Sequence, residues 1–174
     1  MSRRRPIRTD RREGQAAVEF AIVAAPFFFM LFAILELALV FVTDSVMENA
    51  ILETGRLVRT GQAQTASMTA EEFKENLCDR MSIFSNDCDT RATIDVRVLD
   101  QFRDADPPDP MEGGEEFDDS ELVFDAGAPG SLILIRVWYE QPLLTPFLSQ
   151  ALSRLDDGKM VMTATTTFRN EPYA

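Results

Sequence analysis

Phe20-Ala21-Ile22-Val23-Ala24-Ala25-Pro26-Phe27-Phe28-Phe29-Met30-Leu31-Phe32-Ala33-Ile34-Leu35 is a run of 16 apolar residues without a charge. Glu36 interrupts it, and Leu37 to Val42 continues it for six more. As a helix, the 23 residues from Phe20 to Val42 span about 35 Å at a rise of roughly 1.5 Å per residue. A bilayer's hydrocarbon core is about 30 Å thick, so a slightly tilted crossing fits. The competing reading is a core helix of a soluble domain. Phe27 to Phe32 is apolar on every side, and a small domain has too little surface to cover all of it.

Charge is partitioned around this segment. Residues 1–13 carry Arg3, Arg4, Arg5, Arg8, Arg11 and Arg12 against Asp10 and Glu13. Of the 17 basic residues, the other 11 lie from Asp44 onward. Of the 29 acidic residues, all but Asp10, Glu13, Glu19 and Glu36 lie there too. Six arginines before the span and few basic residues just after it place the N-terminus in the cytoplasm and the remainder outside. A uniform basic face is missing, and the chain carries a net charge of −12. Nucleic acid is therefore set aside as a partner.

Three residues in or beside the span call for a physical reason. A charge near mid-bilayer costs about 2.5–3.5 kcal/mol on insertion scales. Glu19 sits at the inner edge, where the interface hydrates it. Glu36 sits near the outer end, within snorkelling distance of water. The alternative is that both meet partner charges during assembly. Pro26 removes one helical donor and crowds the carbonyl of Ile22, which predicts a kink or local loosening.

The leader does not read as an ordinary secretory signal. Phe41-Val42-Thr43-Asp44-Ser45 offers no small-residue cleavage site after the apolar core. The paired arginines lack the rest of a twin-arginine motif. Before the core stands Gly14-Gln15-Ala16-Ala17-Val18-Glu19-Phe20. This resembles the processing site of type IV prepilins, with a short basic leader, a glycine, a cut, and glutamate as the fifth mature residue. The resemblance implies that a prepilin peptidase cuts between Gly14 and Gln15 on the cytoplasmic side. Cutting removes the arginines that pin the chain to that face and leaves an ammonium at Gln15, four residues from Glu19. An ammonium and a carboxylate attract strongly in low-dielectric surroundings, and each is costly alone. The resemblance further implies pairing of Glu19 with the N-terminus of a neighbouring subunit. The plain alternative is a glutamate at a helix start, favoured by the helix dipole.

Gly14 to Ala21 followed by Pro26, a second glutamate in Leu35-Glu36-Leu37, and Ala50-Ile51-Leu52-Glu53-Thr54-Gly55-Arg56 together resemble the TadE-like family of the tight-adherence (Tad, or Flp) pilus system. The resemblance covers about the first third of the chain. Major pilins of that system are much shorter, so a chain of 174 residues looks like a minor pseudopilin. The expected organisation is a basic leader (1–14), a transmembrane helix (15–43), its extracytoplasmic continuation (44–62) and a periplasmic α+β domain (63–174).

Met47, Ala50, Ile51, Thr54, Leu57, Val58 and Gly61 recur at three- and four-residue intervals, while Glu48, Glu53, Arg56 and Arg59 face elsewhere. A transmembrane helix that continues as an amphipathic one is the layout of type IV pilins. Gly61 to Ser67 reads as a break. Thr69 caps a second helix in a capping box with Glu72, and that helix runs to about Arg80. Ala92, Ile94, Val96 and Val98 alternate with Thr93, Asp95 and Arg97, as in a half-buried strand. Leu132 to Tyr139 is continuously apolar, which suits a central strand. Met160, Met162, Ala164, Thr166 and Phe168 form one face of a third. Thr145-Pro146 opens a short helix, and Asp156-Asp157-Gly158 ends it. The expected domain is a small three-stranded antiparallel sheet with packed helices.

Residues 100–121 have a different texture. Asp104, Asp106, Asp109, Glu112, Glu115, Glu116, Asp118 and Asp119 are mixed with Pro107, Pro108, Pro110 and a glycine pair. This reads as a solvated, poorly ordered loop. Calcium has oxygen ligands available there, but EF-hand spacing is absent, and no metal or cofactor is expected. Cys78 and Cys88 both fall on the outer side, where an oxidising periplasm favours a disulfide.

Three classes of function follow. The first is a minor pseudopilin of a Tad/Flp, type IVb-like pilus for surface adherence, held in the bacterial inner membrane. Its partners would be a prepilin peptidase and other pilins or pseudopilins. The second is an unprocessed, membrane-anchored periplasmic binding or adhesion module. The third is an anchored enzyme. Without histidine neither a Ser-His nor a Cys-His nucleophile is available, and the acidic loop's carboxylates are most simply solvated, so this class ranks last.

Overall fold

The structure, a computed structural model, describes residues 11–103, 107–112, 117–153 and 158–173. Arg3, Arg4, Arg5, Arg8, Asp104, Asp106, Glu115, Glu116, Asp156 and Asp157 lie outside the described residues. The chain divides into two compact units, residues 1–35 and 36–174.

Helix α1 (Arg11–Arg59) opens the chain. Between Gly14 and Gly55 it contains no glycine and is rich in Ala, Leu, Met and Phe. Helical assignment is unbroken through Pro26. In the first unit the helix buries almost nothing. Phe20, Ile22, Val23, Phe27, Met30 and Phe32 are each at least 60% exposed.

In the second unit the same helix is one-sided. Val40, Thr43, Met47, Ala50, Ile51, Thr54, Gly55 and Val58 are buried, while Glu48, Glu53, Arg56 and Arg59 stay exposed. The three- and four-residue recurrence is thus the packed face. Gly61, in the left-handed region at φ 81°, follows the helix end. A Cβ there would collide with the Tyr173 ring, so both conformation and space demand glycine. Two terminal carbonyls find donors: Arg59 O accepts from Glu171 N at 2.9 Å, and Val58 O from Gln64 Nε2 at 3.1 Å. The expected break at Gly61 to Ser67 is real, although it holds a one-turn helix, α2 (Gln62–Thr65).

Helix α3 (Ala70–Arg80) starts with the expected capping box. Glu72 N donates to Thr69 Oγ1 at 3.2 Å, and Thr69 N donates to Glu72 Oε2 at 2.8 Å. A short 3₁₀ turn (Ser82–Phe84) leads into α4 (Ser85–Arg91). Cys78 of α3 and Cys88 of α4 form a disulfide, with Cα atoms 5.4 Å apart.

Strands β1 (Ala92–Leu99), β2 (Leu132–Pro142) and β3 (Lys159–Arg169) form an antiparallel sheet with β2 central. Val96 faces Ile135, which faces Thr166. Together with the helices this is the α+β fold expected for a pilin-like domain. Ile133, Ile135, Val137 and Tyr139 of β2 pack with Met162 and Ala164 of β3 and with Met47, Ile51, Phe73 and Leu77 of the helices. Helix α5 (Pro146–Leu152) joins β2 to β3. It ends at Leu152, earlier than expected. Gly158 (φ 75°) instead opens β3, where its carbonyl accepts from Ser149 Oγ at 3.0 Å.

Most described residues of the acidic loop are exposed, as a solvated loop requires, yet two of its apolar side chains and Leu122 just beyond it reach the second face of the sheet. Met111, Phe117 and Leu122 pack on Trp138 and Val161, and the Phe117 and Trp138 rings meet edge-on with centroids 6.0 Å apart. Segment 123–125 adds a short parallel pairing to β1, with Val96 N to Val123 O at 2.8 Å and Asp125 N to Val96 O at 2.7 Å. Asp95 therefore has no access to water. Its carboxylate accepts two bonds from Arg97 at 2.7 Å, two from Arg136 at 2.8 and 3.1 Å, and one from Val123 N at 3.0 Å. Burial alone would push the Asp95 carboxyl up, but these donors hold it below the ordinary aspartate range.

Candidate processing and assembly site

The candidate residues at the N-terminal end are Gly14, Gln15 and Glu19. Gly14 is the fourth residue of α1, so the Gly14–Gln15 bond lies at the first helical turn. That turn is the least secure part of a helix, because its N–H groups have no partners within the helix. Glycine weakens it by about 1 kcal/mol relative to alanine. Gly14 and Gln15 are exposed, and nothing lies within 4 Å of a Cβ placed on Gly14.

Gln15 and Glu19 are one turn apart and already in contact, with Gln15 Nε2 donating to Glu19 Oε1 at 2.8 Å. Such i,i+4 pairs share one face of a helix. The helix-dipole account of Glu19 fares worse. The helix is already formed at Arg11, two turns before Glu19, and dipole effects fade within the first turn. A new N-terminus at Gln15 would return Glu19 to that end.

Pro26 stands among exposed apolar residues, where Ile22, Phe29 and Met30 are 68%, 48% and 65% exposed. Among the described residues, one helix is long and apolar enough to cross a membrane. Its most apolar stretch is only 6% buried, which a core helix of a soluble domain would not be. It marks a single-pass membrane anchor.

Glu36 has partners that sequence reasoning missed. Its two carboxylate oxygens accept from the backbone N–H groups of Leu144 and of Thr145, the latter at 3.0 Å. These donors come 108 and 109 residues later in the chain, and no local pattern announces them. Glu36 is thus tied within its own chain, to the segment that leads into α5.

Gly55 of the expected Gly-Arg pair has a packing role. A Cβ there would stand 3.2 Å from Phe168 Cε1 and 3.4 Å from Ile135 Cδ1. Glycine lets the helix approach the sheet closely. Among the described residues, no group of three or more metal-ligating side chains is assembled.

Residues 14–56 match the family model for TadE-like protein. The matched segment is therefore TadE-like. It begins at Gly14 and ends at Arg56, and so contains Glu19, Pro26, Glu36 and Gly55 together. The match suggests an association with a Tad pilus. No curated protein and no solved structure matches the chain.

Proposed function

We propose that the chain is a minor pseudopilin that takes part in assembling a Tad/Flp pilus for surface adherence. In this reading a prepilin peptidase matures it by cutting between Gly14 and Gln15. The observation that carries the proposal is the start of the TadE-like match at Gly14, followed at once by a bare apolar helix. The cut frees the helix from its arginine leader, and the new ammonium at Gln15 has Glu19 one turn away. Glu19 then serves as the carboxylate that meets a neighbouring subunit's N-terminus.

The C-terminal unit stays on the periplasmic side, where the Cys78–Cys88 bridge persists. The chain's work is assembly, not catalysis. A cleft of about 570 Å³ is lined by Val40, Phe41, Asp44, Leu152, Met160 and Thr163 among others.

Intact mass and N-terminal sequencing, with and without a co-expressed prepilin peptidase, test the proposal. A new N-terminus at Gln15 that depends on the peptidase and on Gly14 is the expected result. An uncut chain would leave a permanent anchor bearing a periplasmic module.

A further inference from the structure

Glu36 occupies an unusual place. Six apolar residues, Leu37 to Val42, separate it from the outer end of the span, about 9 Å along a helix. Its carboxylate binds the N–H groups of Leu144 and Thr145. Hydrogen-bonded groups share a depth. If Phe20 to Val42 crosses a bilayer, Leu144 and Thr145 must lie at the level of Glu36, below the end of the span.

The chemistry of segment 144–147 fits that position. Backbone N–H groups that enter hydrocarbon must be satisfied internally. Glu36 satisfies those of Leu144 and Thr145, and Pro146 has none. Thr145 is buried, while the apolar side chains of Leu144 and Phe147 turn outward, at 90% and 64% exposed. On the same unit, Phe41 and Val42 of α1 are 70% and 50% exposed. Two stretches of bare apolar side chains thus meet at a carboxylate whose own cost in the bilayer needs offsetting.

We propose that Leu144 to Phe147 is a second membrane-contacting element, which inserts Leu144 and Phe147 into the leaflet from which the folded unit emerges. Glu36 holds it at that depth. The partner is a lipid surface, and the proposal rests on reading Phe20 to Val42 as the span. It gives Glu36 a role within one chain, separate from any pairing with another subunit.

Single cysteines at Leu144, Phe147, Phe41 and Phe102 in the full chain test this, each placed in nanodiscs of phosphatidylcholine and phosphatidylglycerol. All four sites are exposed, so cysteine disturbs no core, and the native pair stays bridged under non-reducing conditions. Phe102 follows the far end of β1, and that end of the sheet lies about 33 Å along β2 from Pro142 at roughly 3.3 Å per residue. It reports the water side. The readout is the labelling rate with a charged, membrane-impermeant maleimide.

Leu144→Cys and Phe147→Cys are expected to label at least roughly tenfold more slowly than Phe102→Cys, because a charged reagent is excluded from the hydrocarbon that surrounds the thiol. They should match Phe41→Cys. Fast labelling at 144 and 147 with slow labelling at 41 would overturn the insertion and leave the span standing. Fast labelling at all sites would overturn the span, and the insertion with it. Protection at 144 and 147 confined to discs holding two copies would give this face to a second subunit and overturn the lipid assignment.

Discussion

In residues 14–35 phenylalanines and isoleucines stand bare, whereas in residues 36–174 even a carboxylate, Asp95, is sealed from water. Hydropathy alone does not decide burial, because the more apolar region buries less. The difference lies in the solvent each region is built for. A helix apolar on every side offers no face to water and needs lipid. The domain has an amphipathic helix, a sheet with two covered faces, and an acidic surface suited to water. Glu36, at the boundary, carries the one charge in the apolar run and spends it on backbone donors of its own chain.

The largest expected effect comes from the domain's side of this contrast. Asp95→Asn removes the only counter-charge that Arg136, itself only 7% exposed, has among the described residues. Breaking a buried pair in this way costs about 3–5 kcal/mol. Urea unfolding of the full chain in mild detergent should show that loss, and an unchanged midpoint would mean that water reaches the pair. The pH dependence has a definite sign. Asp95 is held below its ordinary range in the folded state. Its contribution is complete above the unfolded aspartate value, about 3.9, and is lost as pH falls through the lower folded value. The stability gap between the two proteins should therefore close below about pH 4.

The same substitution in each region sharpens the comparison next. Ile51 is 1% exposed and Ile22 is 68% exposed. Ile51→Ala should cost about 2–5 kcal/mol of domain stability. Ile22→Ala should leave the midpoint within about 0.5 kcal/mol, as surface changes do. Equal losses at the two sites would mean that residues 14–35 also pack on protein and that lipid is not their solvent.

What the sequence revealed and what it hid divide along a physical line. The span, the Thr69–Glu72 box, the cysteine pair and all three strands were legible, because each is a local pattern of period, spacing or composition. The buried face of α1 from Met47 to Val58 was legible for the same reason. The partners of Glu36 were not, being more than a hundred residues away. Asp95 alternates with apolar residues and so reads as solvent-facing. Its carboxylate is enclosed by Arg97, Arg136 and the N–H of Val123, and the last two lie 41 and 28 residues further on. Helix α5 stops at Leu152, before the expected Asp-Asp-Gly signal, and Gly158 serves the strand that follows. At the candidate processing site the sequence offers Gly14, Gln15 and Glu19 only as a spacing, and Gln15 and Glu19 are in contact in the fold.

The disulfide is the next lever, and it acts only on the water-facing region. Cys78 and Cys88 close a loop with a sequence separation of 10, worth roughly 2–3 kcal/mol in the chain-entropy account. The Cys78→Ser, Cys88→Ser double variant should lower the urea midpoint by that amount while membrane retention stays unchanged. If extraction from the membrane changed as well, the two regions would not be independent.

Thr69→Ala is the smallest of these effects and isolates a single local device. Thr69 Oγ1 accepts from Glu72 N at 3.2 Å at an exposed helix start. Alanine leaves that N–H to water, and loss of such a cap costs about 0.5–2 kcal/mol. The reciprocal bond from Thr69 N to Glu72 Oε2 needs only the backbone and survives the change, which argues for the lower half of that range. Thr69→Ser keeps the acceptor oxygen and should recover most of the loss. Urea midpoints of the three proteins decide the matter, because a methyl-packing role would leave Thr69→Ser as weak as Thr69→Ala. Neither substitution should move the labelling of Phe41→Cys in nanodiscs, since the capped helix begins well beyond the membrane-facing residues.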